Sequence, residues 1–113
     1  MFKPAVAAAA LLALASPALA GPGVSVILDH SHNGRARIKV QNPGRSRGHF
    51  TVHAMDIDGN QLPATITPSA FYLGRGRERK VRISDLPPTT THICAAVSAS
   101  SSLRLQSCSA VTR

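Results

Sequence analysis

Large aromatic side chains are scarce in this sequence, which has no tryptophan, one tyrosine and three phenylalanines. Proteins that bind single-stranded nucleic acid stack the bases on such rings, so we expect no nucleic acid among its partners. Acidic residues are also few: five aspartates and glutamates stand against 13 lysines and arginines, for a net charge of +8. With 113 residues, the chain is too short for a TIM barrel, a dinucleotide-binding fold or a kinase.

Long hydrophobic runs are absent too, apart from one at the N-terminus. This run extends from Ala5 to Ala15, between Lys3 and Pro17. It is too short to cross a bilayer, which takes about 20 apolar residues. A basic start, a short apolar run and small residues at Ala18 and Ala20 are typical of a secretory signal peptide.

Cleavage after Ala20 would divide the chain into a signal peptide, residues 1–20, and one mature domain, residues 21–113. The mature domain has no apolar run long enough to span a membrane. The sequence therefore predicts a periplasmic or secreted protein.

The mature domain has only two cysteines, Cys94 and Cys108. Two thiolates do not complete a zinc site, and an oxidising compartment favours a disulfide between them. If they lie opposite each other on neighbouring antiparallel strands, Val97 pairs with Leu105 around the loop Ser100–Ser102. The apolar residues of both strands then share one face, and the disulfide lies on the other.

Helical periodicity is missing from the mature domain. Short runs of β-branched and apolar residues are instead separated by turn-forming residues, and Ala36, Ile38 and Val40 alternate with polar neighbours. The sequence predicts about seven short strands and no helix, an all-β, immunoglobulin-like antiparallel sandwich. The chain should turn over His30–Gly34, and Pro63 and Pro68 make the segment 62–67 an edge strand or an irregular crossing. The strand-like segments are 24–29, 35–42, 49–56, 62–67, 79–84, 93–99 and 103–109.

The loop Gly44-Arg45-Ser46-Arg47-Gly48 matches the G-x-S-x-G pattern of hydrolase nucleophiles. That pattern works on a sharp turn from a strand into a helix, with an acid and a histidine downstream. Here it lies in an arginine-rich segment of a β chain, so we predict a polar loop, no catalytic residue and no enzyme.

Four histidines form two sequence pairs, His30 with His32 and His49 with His53. Imidazole binds copper and zinc well, but a site needs three or four converging ligands. Nothing in the sequence brings the two pairs together. We therefore assign no metal and no cofactor, and keep a copper or zinc protein as an alternative that would use these four residues.

The basic residues of the mature domain cluster in two blocks. Such a density of charge favours polyanions, acidic protein surfaces or the charged envelope outside a bacterial membrane, and a solvated sheet face is the alternative. The predicted basic patch comprises Arg35, Arg37, Lys39, Arg75, Arg77, Arg79, Lys80 and Arg82.

Residues 35–86 resemble the first domain of periplasmic pilus (fimbrial) assembly chaperones. The likeness lies in a strand ending at Asn42, a Pro68-Ser69 pair before the apolar Phe71–Leu73, and a basic strand before Leu86-Pro87. The resemblance implies an immunoglobulin-like module that lends its last strand to a subunit, with another exported or envelope protein as partner. The residues it assigns to that partner-binding edge are Leu103, Leu105 and Val111.

The last third of the chain is similar, more weakly, to fibronectin type III modules, through Leu86-Pro87-Pro88, Thr90, His92 and residues 97–99. That similarity implies the same sandwich in an adhesion or envelope-structural role. The sequence therefore predicts an exported, non-catalytic protein that binds another protein, with the adhesion module as the alternative.

Overall fold

The computed structural model describes residues 21–98 and 103–111. The predicted signal peptide and the predicted loop Ser100–Ser102 lie outside the described residues. Within them the chain contains strands but no helix, and so no helix that could cross a membrane. The nine strands are β1 (Ser25–His32), β2 (Arg35–Gln41), β3 (Gly48–Met55), β4 (Gln61–Leu62), β5 (Thr65–Thr67), β6 (Ala70–Leu73), β7 (Glu78–Ser84), β8 (His92–Ser98) and β9 (Arg104–Ala110).

The strands form two antiparallel sheets that pack face to face. The first sheet has the order β1-β2-β7-β5. The second has the order β4-β3-β8-β9, and β6 also pairs with β3, beside its other half. The predicted immunoglobulin-like sandwich is confirmed, and the strands beyond the predicted seven are short ones that share β3 and β7 as partners.

The core forms between the inner faces of the two sheets. Side chains that alternate along β2 and β7 meet those of β3 and β8, and Phe50 stacks on Phe71 with ring centroids 6.0 Å apart. Burying one such side chain contributes about 1.5–3 kcal/mol relative to leaving it in water. The largest fully buried apolar residues are Phe50, Ile38, Ile93, Val40, Val52, Val81 and Val97.

The segment 62–67 crosses from one sheet to the other rather than forming one strand. Leu62 pairs with β3 in the second sheet, whereas Ile66 pairs with β7 in the first. Pro63 stands between the two and has no N–H to continue a ladder. This confirms the irregular crossing that its prolines predicted.

The turn predicted over His30–Gly34 is wrong, because β1 continues to His32. The chain reverses over Asn33 and Gly34 alone, with φ of 50° and 74°, as two-residue hairpin turns require. A register shift between Leu28 and His30 leaves Asp29 as a bulge and changes the phase of the strand. His30 and His32 therefore pair with the next strand instead of forming a loop.

Asn42 joins the two sheets at the end of β2, and its side chain is almost fully buried. Its amide donates to the carbonyls of Ser46, Leu73 and Gly74, and its carbonyl oxygen accepts from the N–H groups of Gly23 and Gly44. One side chain thus satisfies five main-chain groups, and the sequence had indicated only a turn here.

Candidate functional site

Strand β9 forms one edge of the second sheet. It pairs with β8 on one side, and no strand among residues 21–98 and 103–111 pairs with its other side. Strand β1 of the first sheet comes close to β9, but within the described residues it pairs with β2 alone. An open edge offers main-chain donors and acceptors to an extended segment of another protein.

The register of the β8–β9 hairpin is the one that the cysteine spacing predicted. Cys94 lies opposite Cys108 and forms a disulfide with it, and Val97 lies opposite Leu105. Continued by two residues, the same register would pair Leu103 with Ala99, which lies outside the described residues. The disulfide therefore joins the edge strand to the one described strand with which it pairs.

Main-chain groups of alternate β9 residues point away from β8. The Cα atoms of Cys94 and Cys108 are 4.0 Å apart, the short spacing of an opposed pair that exchanges no hydrogen bonds. The N–H of Val111 donates to the carbonyl of Thr91, as this phase requires. Residues 105, 107 and 109 therefore bond to β8, and the open edge presents the main chain of Arg104, Gln106, Cys108 and Ala110.

The three residues predicted for partner binding differ in accessibility. Leu103, just before β9, is 54% exposed. Leu105 and Val111 are half-buried and pack against the core. The domain therefore uses Leu105 and Val111 partly for its own packing, and only Leu103 presents most of its surface to solvent.

Arg104 lies flat across the outer face of the second sheet. Its guanidinium donates to the hydroxyl of Thr51 at 3.3 Å, although Thr51 belongs to β3, two strands away. Partial burial, together with the positive charge of Arg104, lowers the pKa of His53 below its ordinary value. The arginine thus covers the sheet rather than projecting beyond its edge.

The same sheet carries a small aromatic cluster that no sequence pattern indicated. Tyr72 is 61% exposed, and its ring lies 4.7 Å from that of His49 between centroids. The guanidinium carbon of Arg47 lies 4.6 Å from the centre of the tyrosine ring, a cation–π contact. Tyr72 in β6 lies opposite His49 in β3, and this pairing brings the cluster together.

The two histidine pairs lie on opposite sheets. His30 and His32 belong to β1 in the first sheet, whereas His49 and His53 belong to β3 in the second. Across the part of the chain that the structure describes, no group of three or more His, Cys, Asp or Glu residues is placed to hold a metal ion. The structure does not bring the four histidines into one site.

The predicted basic patch divides between two places. Five members point outward from the first sheet, and the other three, Arg75, Arg77 and Arg79, lie in the β6–β7 connection or at the adjoining end of β7. The outward-pointing members are Arg35, Arg37, Lys39, Lys80 and Arg82.

The G-x-S-x-G segment connects β2 to β3, and no helix follows it among the described residues. A Cβ atom on Gly44 would overlap the main chain of residues 21–23, and one on Gly48 would overlap Val97. The N–H of Arg45 donates to the carbonyl of Gly21 at 3.0 Å. Close packing against residues 21–23 and against Val97 accounts for the two glycines.

No protein-family model matches the sequence, and no curated protein does either. Solved structures do match. The E. coli chaperone DraB superposes with a TM-score of 0.57 at 16% identity, over 75% of this chain and 52% of that one. The chain has the fold of that chaperone's domain. The resemblance to pilus assembly chaperones is therefore confirmed for the fold, and the chain spans about half the length of DraB.

Two further structures are similar at lower scores. The periplasmic chaperone SfaE gives a TM-score of 0.49 at 14% identity, over 79% of this chain and 59% of that one. The seventh PapD-like domain of human CEP192 gives 0.43 at 13% identity, over 82% and 87% of the two chains.

Proposed function

We propose that this protein is exported and, without catalysis, binds another exported or envelope protein by pairing its β9 edge with an extended segment of that partner. The observation that carries the proposal is the open edge itself, which presents the main chain of every second β9 residue. Strand addition of this kind takes its affinity from main-chain hydrogen bonds and its selectivity from alternate side chains.

Exposure of the β9 side chains indicates how such a partner would bind. Leu103 offers an accessible apolar side chain, whereas Leu105 and Val111 already contact the core. Main-chain pairing therefore supplies more of the affinity than apolar insertion does. The partner needs an unpaired strand or groove of its own, with room for Leu103.

Two further features support an exported binding protein. The predicted signal peptide, residues 1–20, would direct the chain to the periplasm or outside the cell. The Cys94–Cys108 disulfide suits an oxidising compartment and ties β9 to the sheet, so that the edge is held in register before a partner arrives. The alternative, an adhesion module of fibronectin type, would use the same sandwich without strand addition.

Substitution at Gln106 separates the two functions, because its N–H points to the open edge. Gln106→Pro removes that N–H without removing a hydrogen bond to β8, whereas the control Gln106→Thr keeps it. We expect the tagged wild type and Gln106→Thr to co-purify the same identified partner from the cells that produce it. Gln106→Pro should lose the partner while its melting temperature falls only slightly.

A folded Gln106→Pro protein that keeps the partner would contradict strand addition at β9. If the proline unfolds the domain, Leu103→Glu gives a second test, since a side chain that is 54% exposed tolerates a charge. Loss of the partner by a folded Leu103→Glu variant supports the proposal, and unchanged capture contradicts it.

A further inference from the structure

Positive side chains form rows across the outer face of the first sheet. Arg37 lies directly opposite Arg82, with His30 beside it on β1 and Thr67 beside Arg82 on β5. In the next row Lys39 lies opposite Lys80. Rows two residues apart along a strand are separated by about 7 Å, so the face carries cations at regular intervals.

These rows cost the domain stability. Like charges directly opposite each other on neighbouring strands are destabilising, and this face has two such pairs. The only ion pair among the described residues joins Lys39 to Glu78 at 3.9 Å, at one end of the face. Among the residues that the structure describes, no carboxylate lies within ion-pair distance of Arg37 or Arg82. An external anion would compensate them.

Arg37 and Arg82 line an open depression on the outer face of the first sheet. His30, His32 and Arg35 share its wall with Arg37 and Arg82. On the far side, Thr67 and Ser84 contribute hydroxyl groups, and the hydroxyl of Thr65 donates to Asp85 at 2.9 Å. No Phe, Tyr or carboxylate side chain is among the lining residues in the described ranges 21–98 and 103–111.

This lining suits one kind of ligand. Guanidinium groups bind tetrahedral oxyanions through paired hydrogen bonds, and hydroxyl and imidazole groups bind the hydroxyls of sugars. The described lining has no Phe or Tyr ring, which disfavours stacked bases. Arg37 and Arg82 are both exposed at this depression, so their guanidinium groups are accessible to a ligand from solvent.

We propose that the outer face of the first sheet is a binding site for an extended anionic polysaccharide whose sulfate or phosphate groups are held by Arg37 and Arg82. Lys39 and Lys80 bind the next anionic group along that chain. The site is independent of the β9 edge, which belongs to the other sheet.

Binding of a heparin hexasaccharide, measured by calorimetry at several salt concentrations, tests the site. The variant Arg37→Gln with Arg82→Gln should bind about tenfold more weakly or worse, with a shallower dependence on salt. Arg75→Gln with Arg77→Gln is the matched control, since it removes the same charge away from the depression. The control should lose no more than about threefold in affinity, the share due to net charge.

Equal losses in the two double variants would overturn the proposal, because net charge alone would then explain binding. Tighter association with poly-glutamate than with heparin would overturn it in favour of an acidic protein. Tighter association with vesicles of anionic phospholipid than with heparin would overturn it in favour of a membrane. The melting temperature gives a second readout: removing Arg37 and Arg82 should leave it unchanged or raise it at low salt, as relief of repulsion requires. A lower melting temperature would show that the two arginines stabilise the domain instead.

Discussion

The two sheets bury the same kind of inner face but differ on the outside. On the outer face of the first sheet, like charges lie opposite each other, and one such pair, Arg37 with Arg82, lines a depression. The second sheet carries a disulfide, an exposed tyrosine cluster and an open edge. Packing requires only the inner faces, so the outer faces and edges are where the two halves of the molecule can take different partners.

The hydrogen bonds of Asn42 link the two sheets, and a substitution at this residue should have the largest effect on the free energy of unfolding. Asn42→Asp keeps the size of the side chain but replaces the amide that donates to three carbonyls with an acceptor. We expect a loss of about 4 kcal/mol of unfolding free energy, since buried polar groups would lose their partners. Chemical denaturation of the variant and the wild type measures it, and a change below about 1 kcal/mol would contradict this role.

The disulfide lies within the second sheet, where it joins β8 to β9. Replacing both Cys94 and Cys108 with serine opens a loop of sequence separation 14, which the chain-entropy model values at about 3 kcal/mol. The double variant should melt several degrees lower, and the wild type should show no free thiol on titration. Thiols that react in the folded exported protein would contradict the bridge.

Leucines at the β9 edge should respond unequally to a charge. Leu105→Glu places a carboxylate against the core and should cost about 1–3 kcal/mol, because Leu105 is half-buried. Leu103→Glu, at an exposed position, should stay within about 0.5 kcal/mol of the wild type. Equal losses in thermal unfolding would show that both leucines belong to the core and would weaken the edge as a binding surface.

The smallest effect we expect is a dependence of stability on pH through His53 in the second sheet. Burial and Arg104 lower its pKa in the folded protein, so the unfolded chain takes up the proton first as pH falls below about 6.5. Stability should therefore decrease from pH 7 to pH 5, and the decrease should be smaller in His53→Gln. Parallel pH profiles of the two proteins would contradict this assignment.

Sequence patterns predicted those structural features that depend on the alternation of apolar and polar residues within one strand or one hairpin. The β8–β9 register followed from the cysteine spacing and from the apolar face shared by Val97 and Leu105, since both signals are local. The end of β1 could not be predicted in this way, because the bulge at Asp29 breaks the period that the pattern relies on.

Features that join distant segments were beyond the sequence. The partners of Asn42 come from the N-terminal segment, the β2–β3 loop and the end of β6, and no spacing rule connects these positions. The basic blocks were visible in the sequence, but the opposition of Arg37 to Arg82 depends on the pairing of β2 with β7. Three of the eight predicted basic residues lie before β7 or at its beginning, away from these two pairs.

The central claim is that β9 is an open edge ready to pair with another strand, and amide hydrogen exchange followed by NMR tests it most directly. In the isolated protein, the amides of Leu105, Ser107 and Ser109 should exchange slowly because they bond to β8, whereas those of Gln106 and Cys108 should exchange fast. Adding the co-purified partner should then slow Gln106 and Cys108 selectively. Slow exchange at Gln106 and Cys108 without a partner, or no change when it is added, would contradict the account.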